Sequence, residues 1–121
     1  MKKVLLGLVL AVSSVSSLAG YRDNLSDKQL IQTAETFIAY SLKDPDSAKF
    51  RNVIINKVEN KAPNSKPIRL AVCGEVNGKN AFGAYSGYQQ FAVSAIGEKP
   101  RGGIENEGGD YMYADIFCKM Q

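Results

Sequence analysis

The chain has 121 residues, a formal net charge of +3, 45% hydrophobic residues, two cysteines and no histidine. That length suits one domain of modest core. The absence of histidine excludes Ser-His and Cys-His nucleophile pairs and most zinc-hydrolase ligand sets.

The first residues carry Lys2 and Lys3, then the apolar run Val4–Val12, then the small polar stretch Ser13–Ala19. Positive head, short apolar middle and small residues at the minus-three and minus-one positions (Ser17, Ala19) are the layout of a secretory leader cut before Gly20. The apolar run is about half of the roughly 20 residues that span a bilayer. Tyr21 follows Gly20 where a lipoprotein would need Cys. The expected organisation is a leader over 1–19 and a single domain over 20–121. The product is expected in the periplasm or outside the cell, with no membrane anchor. Taking both leader lysines from a net of +3 leaves +1. A nearly neutral domain lacks the basic surplus of a nucleic-acid binder.

The helix signal is strongest first. Ser26-Asp27-Lys28-Gln29 is a capping box, with Leu25 and Leu30 placed as a hydrophobic staple. Leu30, Ile31, Ala34, Phe37, Ile38 and Leu42 recur at helical spacing, and Pro45 stops the run. Asp46 and Ser47 suit one further short turn leading to Phe50. The period then changes to two. Strands are predicted at 53–58, 68–76, 89–96 and 111–118, with a Pro- and Asn-rich turn at 60–67 and a Gly-rich mobile loop at 98–110. One helix followed by strands predicts an α+β domain, one N-terminal amphipathic helix packed on an antiparallel sheet of about four strands.

Cys73 and Cys118 are both in the exported part, where two cysteines most simply form one disulfide. It would close a loop of 45 positions, a constraint of roughly 4 kcal/mol on the unfolded chain. A plain meander holds strands two and four nearly 10 Å apart, beyond the roughly 7 Å Cα limit of a disulfide. Either strand four lies beside strand two, or Cys118 lies on a returning tail. No cofactor and no metal site is expected, since a zinc site would have to draw on carboxylates.

The densest feature runs from Cys73 to Phe91. Asn77-Gly78 signals a tight turn with positive φ. Glycines then alternate with Phe82, Tyr85 and Tyr88. Tyrosine gives large contact area with few rotors and a polar tip. Asn77, Lys79, Asn80, Phe82, Tyr85 and Tyr88 are therefore the candidate binding residues, for an envelope or secreted protein or a glycan. The same residues equally suit bends and cover for a core edge. Among carboxylates, Asp44 and Asp46 suit capping and turn formation. Glu105, Glu107 and Asp110 suit a solvated loop, and Asp115 reads as a strand residue facing solvent or a cation on a neighbouring strand. Asp115 and Glu75 are the nominees if a carboxylate pair were catalytic. No phosphate-binding pattern is present.

The pattern Asp44-Pro45-Asp46-Ser47-Ala48-Lys49-Phe50, then Cys73-Gly74-Glu75-x-Asn77-x-Lys79-Asn80-x-x-Gly83-x-Tyr85-x-Gly87-x-x-x-Phe91, then Cys118, resembles a family of small secreted proteins of Gram-negative bacteria and some of their phages. The resemblance covers most of the exported chain. It implies export and a shared fold, and it transfers no activity and no binding residue. Three functions follow as expectations: a non-enzymatic binding, inhibitor or immunity module of the envelope; a structural or accessory envelope protein; and a small carboxylate-dependent hydrolase.

Overall fold

Residues 25–94 and 99–120 are described in a computed structural model of the chain; the expected leader, 1–19, lies outside them. The elements are helix α1 (Asp27–Ala39), a 3-10 turn (Pro45–Ser47), strands β1 (Lys49–Val58), β2 (Ile68–Asn77), β3 (Gln89–Ser94) and β4 (Arg101–Ile104), and helix α2 (Tyr111–Lys119). The four strands form one antiparallel sheet in the order β1-β2-β3-β4.

Helix α1 starts where its cap dictates. The Gln29 N–H donates to Ser26 Oγ at 3.2 Å, and the Ser26 N–H donates to Gln29 Oε1 at 2.9 Å. Leu30, Ala34 and Ile38 recur one turn apart and are buried, the period of a helix laid on a sheet. Its end comes earlier than Pro45. The N–H groups of Ser41 and Leu42 turn back to the carbonyls of Ile38 and Ala39, both at 3.0 Å. This tightened last turn throws Leu42 off the helix. Leu42 instead packs on Gly78, where an added Cβ would lie 2.9 Å from Leu42 Cδ1.

Side chains alternate across a sheet, so adjacent Val72 and Cys73 mark its two faces. On the first face Leu30, Ala34 and Ile38 meet Val72, Val76, Phe91, Val93 and Ile104 in the main core. Phe50 closes it edge-on against Phe91, with ring centroids 5.6 Å apart. Each fully buried large aliphatic or aromatic side chain here contributes about 1.5–3 kcal/mol relative to exposure.

The second face corrects two sequence expectations. Residues 111–118 are not a fourth strand but lie in a second helix, α2, and the fourth strand lies inside the expected mobile loop, at Arg101–Ile104. The helix is seated on the face that carries Cys73. Ala114, Ala71 and Ala92 are buried there, and their small side chains let helix and sheet approach closely. Gly103 lies in the same layer: a Cβ on it would sit 3.0 Å from the Gly108 carbonyl and 3.3 Å from the Tyr111 nitrogen. The chain reverses just before α2, with Gly108 and Gly109 in the left-handed region at φ 82° and 75°. Cys118 thus reaches Cys73 by crossing over the sheet on a helix, with the Cα atoms 6.1 Å apart. The sheet itself is a plain meander. From β1, Asn56 Nδ2 donates to the carbonyls of Phe117 and Met120, satisfying helix-end groups that would otherwise be orphaned.

The disulfide fits a non-reducing compartment. Among the described residues, no helix is long and apolar enough to cross a membrane.

Candidate functional site

Strands β2 and β3 are joined by residues 78–88, the segment that holds most of the candidate residues. Neither Asn77 nor Gly78 adopts positive φ, so the expected tight turn is not there. The reversal sits further out. Lys79 and Tyr85 pair as an isolated antiparallel bridge, and the Gly83 N–H closes the tip onto the Asn80 carbonyl at 3.0 Å. Gly83 and Gly87 carry the left-handed backbone, at φ 81° and 103°, where a Cβ would be strained.

Two asparagines stitch this loop. Asn80 Oδ1 accepts from the N–H groups of Phe82 at 2.9 Å and Ala84 at 3.2 Å, and the Asn80 N–H donates to the Ala84 carbonyl at 2.8 Å. Asn77 Oδ1 accepts from the Gly87 N–H at 3.0 Å. An asparagine side chain that mimics a backbone acceptor is a strong turn former.

The Asp44–Phe50 segment then docks against the loop. Ser47 is buried. Its hydroxyl donates to the Asp44 carbonyl at 2.7 Å and accepts from the Lys79 N–H at 2.9 Å. Its carbonyl accepts from the Tyr85 hydroxyl at 3.0 Å. The two stretches of sequence pattern, read separately along the chain, are therefore one junction in space.

Cations cover the tyrosines. Lys49 Nζ stands 4.5 Å from the Tyr85 ring centroid and Lys79 Nζ 5.7 Å from it. The Arg51 guanidinium lies 3.7 Å over the Tyr88 ring, a stacking distance for a cation on an aromatic face. Arg51 also forks onto Glu75, at 3.2 and 3.3 Å. Asn52 Nδ2 reaches the same carboxylate at 2.8 Å from a bulge in β1, where Asn52 has φ 55°. Arg51, and after it Asn52, hold the Glu75 carboxyl below its usual range.

The candidate residues thus divide. Asn77, Asn80, Tyr85 and Tyr88 are committed to shaping and bracing the loop, and Lys79 lends both its N–H and its cation to the junction. Phe82 is the side chain presented furthest outward, 94% exposed at the tip, against 39% for Tyr85. Ser47, Lys49 and Arg51 are participants that the loop sequence does not reveal. The signal for Arg51 was its place opposite Glu75 in strand register; Ser47 was legible only as a turn residue.

Glu75 and Asp115 both line a cleft of about 310 Å³ on the α2 side, with Asn52, Ile54, Gln90, Lys119 and the disulfide. Asp115 is a helix residue, and its cation comes from its own helix rather than a neighbouring strand. It pairs with Lys119 at 2.7 Å and accepts from the Tyr111 hydroxyl at 3.2 Å. Burial first, and Asp115 second, push the Tyr111 phenol up to about 12. Asp110 pairs with Arg101 at 3.3 Å.

A wider cleft of about 620 Å³ lies beside the start of α1, lined by Leu25, Asp27, Lys57, Lys66, Ile68 and Arg69 among others. Among the described residues, no group of three or more Asp, Glu, Cys or His side chains is placed to hold a metal ion. Comparison with protein-family models, curated proteins and solved structures finds no match to this chain.

Proposed function

We propose that this chain is an exported protein-binding module, and that the 78–88 loop is its contact element, with Phe82 as the anchor. The observation that carries this reading is the contrast between the loop's bracing and its tip. Four side chains and the Ser47 junction fix the backbone, while the largest apolar side chain of the loop touches nothing that the fold needs. A preorganised loop presenting one aromatic loses little entropy on binding, and aromatic anchors dominate interface energetics. The cations over Tyr85, Lys49 and Lys79, favour a partner with an acidic rim around an apolar pocket. Inhibitor and immunity roles both fit that chemistry.

The test separates binding from folding. The oxidised protein is immobilised and exposed to periplasmic extract, beside a Phe82→Ala variant. Phe82→Ala is expected to leave the thermal midpoint within about 1–2 °C, as an exposed substitution should, while abolishing capture of a partner that the parent retains. Capture unchanged by Phe82→Ala would remove the anchor. Absence of any partner would favour the structural or accessory role, in which the whole junction serves the fold.

A further inference from the structure

The cleft of about 620 Å³ beside the start of α1 has the volume of a small-molecule site. It lies at the far end of β1 and β2 from the 78–88 loop. Val58 pairs with Ile68 at the cleft end, and Lys49 pairs with Asn77 at the loop end. Ten-residue strands put about 30 Å between the two.

The lining holds a charge arrangement that the sheet alone does not favour. Lys57 and Arg69 stand directly opposite each other in strand register, and like charges in that position destabilise a strand pair. Asp27, in the first turn of α1, reconciles them: one carboxylate oxygen accepts from Lys57 Nζ and the other from Arg69 Nη1 at 3.2 Å. Arg69 Nη1 also donates to the Leu25 carbonyl at 2.7 Å, so its duty is to hold the start of α1 against the sheet. Lys57 is 43% exposed and gives Asp27 one of the three donors of an ammonium. Lys66 is exposed on the same lining, and among the described residues no carboxylate pairs with it. One carboxylate therefore answers three cations, and two ammonium groups keep donors that the fold does not use. The rest of the lining includes Leu25, Pro67 and Ile68. Ile68, 43% exposed, continues the buried row of Leu70 and Val72 out into the cleft.

We infer that this cleft binds a singly charged organic acid with an apolar body, its carboxylate on Lys57 and Lys66 and its body on Leu25, Pro67 and Ile68. Asp27 sets the charge, because a second negative charge on the ligand would be repelled by the carboxylate already there. The apolar wall sets the body, since an inorganic anion gains nothing from it. A fatty acid and a peptide with a free C-terminal carboxylate share that chemistry. About ten heavy atoms in an open cleft correspond to a dissociation constant of roughly a few millimolar.

Titration followed by heteronuclear NMR tests it, on oxidised protein recovered after export under its own leader and read at the backbone amides of Lys57, Lys66 and Arg69. The probes are octanoate, acetate, inorganic phosphate, and acetylated alanyl-alanyl-leucine with a free or an amidated C-terminus. Octanoate or the free-acid peptide is expected to saturate these amides, and the tighter of the two names the source. Acetate and phosphate are expected to bind at least about tenfold more weakly. Lys66→Met keeps the stem and removes the charge at an exposed position, so it is expected to weaken the better acid about tenfold with an unchanged thermal midpoint. Ile68→Ser is expected to weaken that acid and leave acetate as it was. Four results would each overturn the inference: neither acid saturating these amides by about 30 mM, phosphate binding as tightly as the better acid, binding that survives Lys66→Met undiminished, or an amidated peptide that binds as well as the free acid.

Discussion

Replacing Ser47 with alanine should damage this protein more than the loss of one hydroxyl suggests. The hydroxyl is shared by two segments far apart in sequence: it donates to Asp44 at 2.7 Å and receives the Lys79 N–H at 2.9 Å. Alanine fits the space, so neither clash nor large cavity enters. What remains is two lost hydrogen bonds at about 1 kcal/mol each, with the partly buried Lys79 N–H left without its acceptor. The sum is about 2 kcal/mol. For a domain near 100 residues, 1 kcal/mol moves the thermal midpoint by about 4–8 °C, so the expected fall is about 8–16 °C. Thermal unfolding followed by circular dichroism measures it, with amide exchange at Lys79 as the local reading. Asp46→Ala, at an exposed neighbour, is the control and should stay within about 0.5 kcal/mol. A Ser47→Ala midpoint within about 2 °C of the parent, with Lys79 still protected, would refute the junction as the brace of the loop, since ~2 kcal/mol cannot hide at that precision.

Two further outcomes follow from the same geometry. Removing both sulfurs, Cys73→Ala with Cys118→Ala, should lower stability by roughly 4 kcal/mol for a closed loop of 45 positions. Protection should be lost first in α2, whose contact with the sheet rests on alanines and glycine. Amide exchange that leaves α2 as protected as α1 would show that packing alone holds that layer. At low pH, Asp27 contributes with a definite sign. The Lys57 hydrogen bond, and to a lesser extent Arg69, outweigh desolvation and hold its carboxyl below the ordinary value. A lowered folded pKa gives stability that is present above about pH 4 and lost as pH falls through the lowered value. Asp27 is nearly half exposed, so the contribution is under about 1 kcal/mol. Asp27→Asn should therefore flatten part of the midpoint's decline below about pH 4 and leave neutral and alkaline values parallel to the parent. An acid limb of unchanged slope would mean the pair adds nothing.

The parts of the fold legible in sequence are those whose signal is local. Ser26 and Gln29 announce α1 because a capping box is a contact between near neighbours. Strands β1 to β3 carry alternating β-branched residues between turn formers. The parts that were not legible depend on contacts the sequence does not order. Tyr111–Cys118 is rich in aromatic and β-branched residues and so imitates a strand, yet Ala114, Phe117 and Cys118 can reach the sheet only from a helix lying over it. Arg101-Gly102-Gly103-Ile104 has the composition of a loop. It pairs as a strand because Ile104 enters the core and bare backbone is what fits beside β3: a Cβ on Gly102 would fall 2.1 Å from the Ala92 carbonyl. Of the two ways to satisfy the disulfide, strand four beside strand two is not taken; Cys118 lies past the sheet, on a segment that returns over it as helix α2. For the site, the loop composition pointed to the right segment and to the wrong division of labour.

That division of labour is what makes the loop testable. Composition treats Phe82, Tyr85 and Tyr88 as one aromatic set, and truncating the tyrosines would confuse folding with binding. Tyr85 holds the Ser47 carbonyl and Tyr88 lies under Arg51, so their removal loosens the loop before it alters any surface. Phe82 has no such duty. A partner lost with Phe82→Ala at constant stability speaks for recognition; a partner lost only with Tyr85→Phe, which keeps the ring and deletes the bond to Ser47, speaks for loop shape.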